Sequence, residues 1–239
     1  MSNNIYNKTF YLFEGMTAEL LPENLVKTIQ AFLSTENLYL SATREIATKL
    51  ENLNCEFRYM HDRNPIQNIQ TRVKSPASII NKLRRKGWAL TVESARQNLT
   101  DIAGVRVICS YIDDIYLISR LLTSQSDVEV VRTSDYIKNP KPNGYRSLHH
   151  IVTVPVFLST GPEPVHVEIQ IRTIAMDFWA SLEHEIAYKL LEDKRESIAS
   201  DLKECADDIA RIDRRMQEIF NFPARREEVK NGDPGIAAP

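Results

Sequence analysis

Between Arg72 and Lys86 the sequence places six basic residues (Arg72, Lys74, Lys82, Arg84, Arg85 and Lys86) and no acid. Ser75-Pro76 reads as a helix cap followed by proline in the first turn, which predicts a helix over Pro76–Lys86 ended by Gly87. Ser78, Lys82 and Arg85 would share one face of it, with Ile79 and Leu83 on the buried side. Arg72 and Lys74 stand just before the helix N-terminus, whose free N–H groups favour anions. Cations converging there make a polyphosphate cradle, although the same run also suits a solvated helix face.

Three further segments carry reactive side chains. In VHVEIQIR, Val165, Val167, Ile169 and Ile171 face one way, and His166, Glu168, Gln170 and Arg172 the other. The second face could be the wet side of an antiparallel strand. It could equally be a reaction surface, with Glu168 taking a proton or binding a metal and Arg172 neutralising phosphate. In NGYRSLH, Asn143-Gly144 turns the chain and places Tyr145 and His149 four apart on one predicted strand face. That pair could stack a base and touch a phosphate, or form an amphipathic strand edge. In DIAGVRV, Asp101 precedes a strand that contains Arg106. An aspartate near cations suits magnesium, which takes few carboxylates plus substrate phosphates; it also suits a simple cap.

These residues need elements to position them. Leu21, Leu25, Ile29, Phe32 and Leu33 predict one amphipathic helix, and Leu40, Ile46, Ala47, Leu50 and Leu53 a second. HDRNPIQNIQ reads as a polar connection. A buried strand over Val105–Tyr111 leads to a helix capped by Asp113, with Ile115, Ile118, Leu121 and Leu122 as its core face. A short strand over Val128–Val131 precedes the turn-rich DYIKNPKPNGY. Strands over Ser147–Val154 and Val165–Arg172 follow, then helices over Ala175–Leu191 and Ser197–Phe220. The tail over 223–239 reads as flexible. The expected fold is α/β or α+β, a mixed sheet flanked by helices. It would form one domain, with N-terminal helices over 1–63, a core over 64–191 and a C-terminal helix over 192–222.

Composition removes several classes. The chain has 239 residues, enough for a real core without disulfides or a structural metal. A net charge of −2 argues against a dedicated duplex-DNA binder. Cys55, Cys109 and Cys205 form no Cys-x-x-Cys pair and suit a reducing compartment. MSNNIYNK lacks the pattern of a signal peptide, and no apolar run is long enough for a bilayer, so a cytoplasmic protein without membrane partners is expected. No glycine precedes a lysine, which removes a Walker A loop, and Gly-x-Gly-x-x-Gly and Gly-x-Ser-x-Gly are missing too. His184-Glu185 begins a zinc-protease pattern that Tyr188 breaks. A nucleotide site without a P-loop remains.

Taken together, RVKSPASIINKLRRKG, DIAGVRVICSYIDDIY, DYIKNPKPNGYRSLHHIV and VEIQIRTIAMDFWASLEHEIAYK closely resemble, in this order and spacing, the small alarmone synthetases. These are single-domain relatives of the synthetase domain of the long Rel/SpoT stringent-response enzymes. The likeness runs from Asn64 to Lys189, and the wording is most similar to the RelP-like subgroup. It implies a nucleotidyltransferase-like fold and transfer of the β,γ-pyrophosphate of ATP to the 3′-hydroxyl of GDP or GTP, giving AMP and ppGpp or pppGpp. It also implies magnesium dependence and a homotetramer.

By the same resemblance, Arg72 and Arg106 would sandwich adenine, and Lys74, Ser78 and Lys82 would hold the phosphates of ATP. Asp101 and Glu168 would be the catalytic acids and metal ligands, Glu168 acting on the 3′-hydroxyl. Tyr145 would stack on guanine; Lys141, His149, Gln170 and Arg172 would contact the acceptor, and Asp177 would read the guanine edge. The competing reading is a catalytically silent module that binds guanine nucleotides or single-stranded RNA on the same surface. Two acids beside phosphate-binding cations favour the enzyme, since a binder needs neither.

Overall fold

A computed structural model of the chain describes residues 23–189 and 195–222. Its elements run α1 (Glu23–Met60), β1 (Ile66–Val73), α2 (Pro76–Lys86), α3 (Val92–Asn98), β2 (Ala103–Cys109) and α4 (Ile112–Thr123). Then come β3 (Glu129–Asp135), β4 (Leu148–Leu158), β5 (Gly161–Thr173), α5 (Ile174–Lys189) and α6 (Arg195–Asn221). The five strands form one mixed sheet in the order β1-β2-β5-β4-β3. Only β2 and β5, at its centre, run parallel. The expected fold class is the one found.

The two faces of this sheet differ in chemistry. Val105 and Val107 of β2, Ile169 and Ile171 of β5, and Val152 and Val154 of β4 are fully or almost fully buried. They meet Ala42, Ile46 and Leu50 of α1 and Ile115, Ile118 and Leu122 of α4. Alternation along each strand sends the intervening residues to the opposite face. There Gly104, Arg106, Glu168, Gln170 and His149 lie in adjoining register. The apolar half of β2, β4 and β5 is thus held by two helices, and the polar half is left free for a site.

Several expectations needed correction. The two N-terminal helices are one, because no residue between Leu33 and Leu40 breaks the backbone ladder. Leu21 and the tail after Phe222 lie outside the described residues, as does Leu191. The supposed connection HDRNPIQNIQ contains most of β1, whose mostly exposed edge position lets it be polar on both faces. The seven-residue α3 was not expected. Tyr111, not Asp113, occupies the N-cap of α4. The backbone N–H of Tyr111 donates to the Asp114 carboxylate at 3.1 Å.

By contrast, α2 spans the predicted residues. Ser75 Oγ accepts from Ser78 N–H at 3.3 Å, and Gly87 ends the helix at a φ of 70°. Two buried polar groups tie the layers together. His150 is bonded through both ring nitrogens, Nε2 to Ser119 Oγ at 2.8 Å and Nδ1 to Thr133 Oγ1 at 2.9 Å, and burial pulls its pKa down. Arg63 donates to both oxygens of buried Asp114, at 2.7 and 2.5 Å, and lies 4.6 Å from the Phe220 ring centre.

Candidate active site

The site begins where β1 lies beside β2. Arg72 pairs with Gly104, and a Cβ at Gly104 would stand 3.1 Å from Arg72 Nε. The missing side chain lets the arginine lie flat across the sheet. Arg72 then reaches Glu168 Oε2 at 3.5 Å. A cleft of about 110 Å³ opens here, lined by Gln70, Thr71, Arg72, Arg106, Glu168 and Gln170, with Gly104 and Val105 at its floor.

One end of the site is the phosphate cradle expected from the sequence. Asp101 Oδ2 accepts from Lys74 Nζ at 2.5 Å and from Lys82 Nζ at 2.6 Å. Lys74 is held by its own backbone, whose N–H donates to Ile102 O at 2.8 Å, and Lys82 by the second turn of α2. Burial pushes the Asp101 carboxyl up, but the two lysine bonds outweigh it and leave the group below the ordinary aspartate value. Ser78 lies one helical turn before Lys82, its hydroxyl 2.9 Å from Ser75 Oγ. Arg85 is exposed and joins none of these contacts.

The other end is a connected web on β4 and β5. Gln170 Nε2 donates to Glu168 Oε2 at 3.0 Å, and His149 Nδ1 lies 3.5 Å from Glu168 Oε1. Arg172 donates to Gln170 Oε1 at 2.7 Å, to Tyr145 Oη at 3.0 Å and to Asp177 Oδ1 at 3.3 Å. Asp177 Oδ1 also faces Arg106 at 3.4 Å, so one carboxylate joins the arginines of the two ends. Burial pushes the Glu168 carboxyl up. The hydrogen bond and charge of His149, helped by Arg72, more than offset that and leave it below the ordinary value. Burial raises the Tyr145 hydroxyl, so it stays protonated and can donate.

Tyr145 does not sit on a strand, which corrects the expectation for NGYRSLH. β4 starts only at Leu148, because Asn143 and Lys141 hold the preceding residues in a turn. The intended meeting with His149 occurs all the same, with Tyr145 Oη 2.8 Å from His149 Nε2. Lys141 Nζ stands 4.7 Å from the Tyr145 ring centre and 4.6 Å from that of Tyr136. Tyr136 meets His149 edge-on at 5.1 Å.

All the predicted site residues therefore gather on or beside the open face. Tyr136, Gln70 and Thr71 were not anticipated. Gln70 could have been found by extending period-two alternation back from Arg72; Thr71, of the opposite parity, could not. Tyr136 had no local signal.

The donor set also fits a divalent cation. Three buried side-chain polar atoms are without a hydrogen-bond partner among the described residues: Asp101 Oδ1, Arg106 Nε and Arg172 Nε. Buried polar groups are normally satisfied, and all three orphans belong to this one site. With Oδ2 held by two lysines, the unpaired Oδ1 of Asp101 is an oxygen donor of the kind a hard cation takes. No group of three or more His, Cys, Asp or Glu with metal-binding geometry occurs among the described residues. A cation would then be shared by Asp101, Glu168 and substrate phosphates, as magnesium prefers.

Cations, an orphaned carboxylate oxygen, an ionised glutamate and aromatic rings on one sheet face define a nucleotide-binding site suited to phosphate chemistry. Comparison with known proteins agrees and makes the class specific. Residues 71–193 match the region found in RelA / SpoT proteins, and the chain belongs to that family. It is 46% identical over 195 residues to the GTP pyrophosphokinase YwaC of Bacillus subtilis, covering 81% of this chain and 93% of the relative. It is 38% identical over 181 residues to YjbM of the same organism, also a GTP pyrophosphokinase, covering 76% and 84%. The structure resembles small alarmone synthetase 1 of B. subtilis bound to its product pppGpp. The TM-score is 0.70 at 36% identity, over 77% of this chain and 93% of that one.

Proposed function

We propose that the protein is a (p)ppGpp synthetase, which transfers the β,γ-pyrophosphate of ATP to the 3′-hydroxyl of GDP or GTP. The observation that carries this is that a cleft lined by Arg72, Arg106, Glu168 and Gln170 lies between a lysine–aspartate cradle and a web containing Tyr145, His149 and Arg172, with orphaned buried polar atoms at Asp101, Arg106 and Arg172. Two differently furnished halves on one face suit two different nucleotides.

In this reading Arg72 and Arg106 hold adenine between them, while Lys74, Lys82 and Ser78 take the ATP phosphates. Tyr145 stacks on guanine, and Lys141, His149, Gln170, Arg172 and Asp177 complete the acceptor subsite. Glu168 is ionised at neutral pH and takes the proton of the 3′-hydroxyl. The hydroxyl oxygen forms its bond to the β-phosphorus, the bond from that phosphorus to the α,β-bridging oxygen breaks, and AMP leaves with that oxygen. Arg72, with the lysines, offsets the charge that spreads over the phosphoryl oxygens. Magnesium, held by Asp101 and Glu168, would supply further charge neutralisation. The core over 64–191 works as one unit with its N- and C-terminal helices. The enzyme works in the cytoplasm as a homotetramer. Free Cys55, Cys109 and Cys205 support a reducing compartment, and exposed Ile174, Phe178, Ile212 and Met216 on α5 and α6 support self-association.

Anion-exchange analysis of products tests the assignment. With magnesium, ATP and GDP or GTP, AMP is expected in equal amount to a guanosine tetra- or pentaphosphate. Release of pyrophosphate, or nucleotide binding without turnover, overturns it.

A further inference from the structure

Arg146 faces away from the nucleotide web, although it follows Tyr145 directly. Its guanidinium donates to Gly144 O at 2.9 Å, to Ala206 O at 3.2 Å and to Asp207 Oδ1 at 2.9 Å. The last two acceptors lie on α6, about sixty residues away in sequence. Its side chain is mostly buried, at 14% exposure, while Asp207 is exposed and also binds Lys203 Nζ at 2.8 Å. One arginine thus closes the turn at Gly144 and fastens it to a distant helix.

A second contact, independent of charge, lies beside the first. Gly144 has a φ of +87°, and a Cβ there would stand 2.5 Å from Ala206 Cβ. The turn rests directly on α6, with no room for a side chain between them. α6 is itself anchored on both sides of this point. Trp179 Nε1 of α5 donates to Leu202 O at 2.9 Å, and Thr173 Oγ1, at the end of β5, donates to Asp213 Oδ2 at 2.6 Å. The support beneath the turn is therefore tied back to the strand that carries Glu168, Gln170 and Arg172.

We infer that Arg146 is a positioning residue for the acceptor nucleotide, clasping the turn that carries Lys141 and Tyr145 to α6 through Ala206 O and Asp207. It touches no substrate and acts through Tyr145, so the inference rests on the acceptor subsite proposed above. The Tyr145 hydroxyl is bonded to His149 and Arg172, and its ring lies against Lys141, which belongs to the same turn. Without the clasp, the turn keeps the backbone bonds between Lys141 and Gly144 and Tyr145, which are internal to it, and one exposed outward bond, from Asn143 Nδ2 to Glu183 Oε1 at 3.3 Å. The turn would keep its shape and hold its place less firmly. Displacement of a binding group by about 1 Å is enough to weaken recognition strongly. Among the described residues, no hydrogen bond or ion pair runs from the clasp to the donor half, built on β1, α2 and Asp101.

Equilibrium titration of the full-length protein with GDP, and separately with a non-hydrolysable ATP analogue, tests this. Wild type is compared with Arg146→Ala, Arg146→Lys, Asp207→Asn and Tyr145→Ala. Arg146→Ala is expected to weaken GDP binding about tenfold, as for lost charge-assisted hydrogen bonds, and to leave the ATP analogue unchanged. Arg146→Lys should recover part of the loss, since lysine keeps one bond and not the fork. Exposed Asp207→Asn should fold normally and give a smaller loss with the same selectivity, which guards against an Arg146→Ala variant that fails to fold. If Tyr145→Ala weakens GDP binding but both Arg146→Ala and Asp207→Asn bind it like wild type, the clasp is overturned and the acceptor subsite stands. If Tyr145→Ala binds GDP like wild type, the subsite fails and the clasp with it. Equal losses for both nucleotides in Asp207→Asn would mark a general structural role and also overturn the inference.

Discussion

In the proposed transfer Glu168 accepts a proton while lying in a half-buried place, and burial works against its charge. His149 and Arg72 restore the ionised form, the first at 3.5 Å from Oε1 and the second at 3.5 Å from Oε2. Glu168→Gln keeps the shape and the bond from Gln170 but can take no proton. Transfer should fall by about a hundredfold or more, the usual share of a positioned base, while far-ultraviolet circular dichroism and the melting temperature stay close to wild type. Near-normal single-turnover rates in a folded variant would remove Glu168 from catalysis. Its place was readable in advance because strand alternation is local: each second residue of VHVEIQIR is buried, as expected, as far as Ile171. The continuation was not readable. Arg172 is 2% exposed although it lies on the polar face, because Tyr145, Gln170 and Asp177 close around it.

At the scale of elements, the turn before β4 shows how backbone shape and packing combine. Gly144→Ala would put a side chain at φ +87° and press it into Ala206. Strain in that region and overpacking each cost about 1–3 kcal/mol. Urea unfolding should show a loss of about 2–6 kcal/mol from the two together, and GDP affinity should fall with ATP-analogue affinity retained. Adding Ala206→Gly removes the clash but not the strained φ, so acceptor affinity should return only in part. α2 was legible to the residue, since its cap, its first-turn proline and its terminal glycine signal within a few positions. β1 was not, because its register against β2 supplies what its own polar sequence IQNIQTRV lacks. Tyr136 is the corresponding case in the site. It reaches Lys141 and His149 only after β3 has paired with β4 and brought Ser134 opposite His149.

Across the whole molecule, long-range polar ties link the last helix to the rest, and one of them gives stability a pH dependence. Asp213 is 6% exposed, and burial raises its carboxyl above the ordinary aspartate value despite the bond from Thr173. The native state therefore holds this proton at pH values where the unfolded chain has lost it. By linkage, this group's contribution to stability falls as pH rises from the ordinary value through the raised one. Asp213→Asn can still accept from Thr173 and carries no charge. It should be more stable than wild type at neutral pH, with the difference shrinking as pH falls toward 4 in urea melts. The class of fold was legible from the order of elements, but the pairing of β2 with β5 was not, since α4, β3 and β4 lie between them in the chain. That pairing also governs how the protein is made. The buried stripe of α1 packs on strands that end about 120 residues later, at Thr173. At about 5–20 residues per second, a ribosome needs roughly 6–25 s to cover that distance. Until β4 and β5 emerge, the nascent helix has only β1 and β2 to pack on and leaves part of its oily stripe uncovered, a natural client for a chaperone.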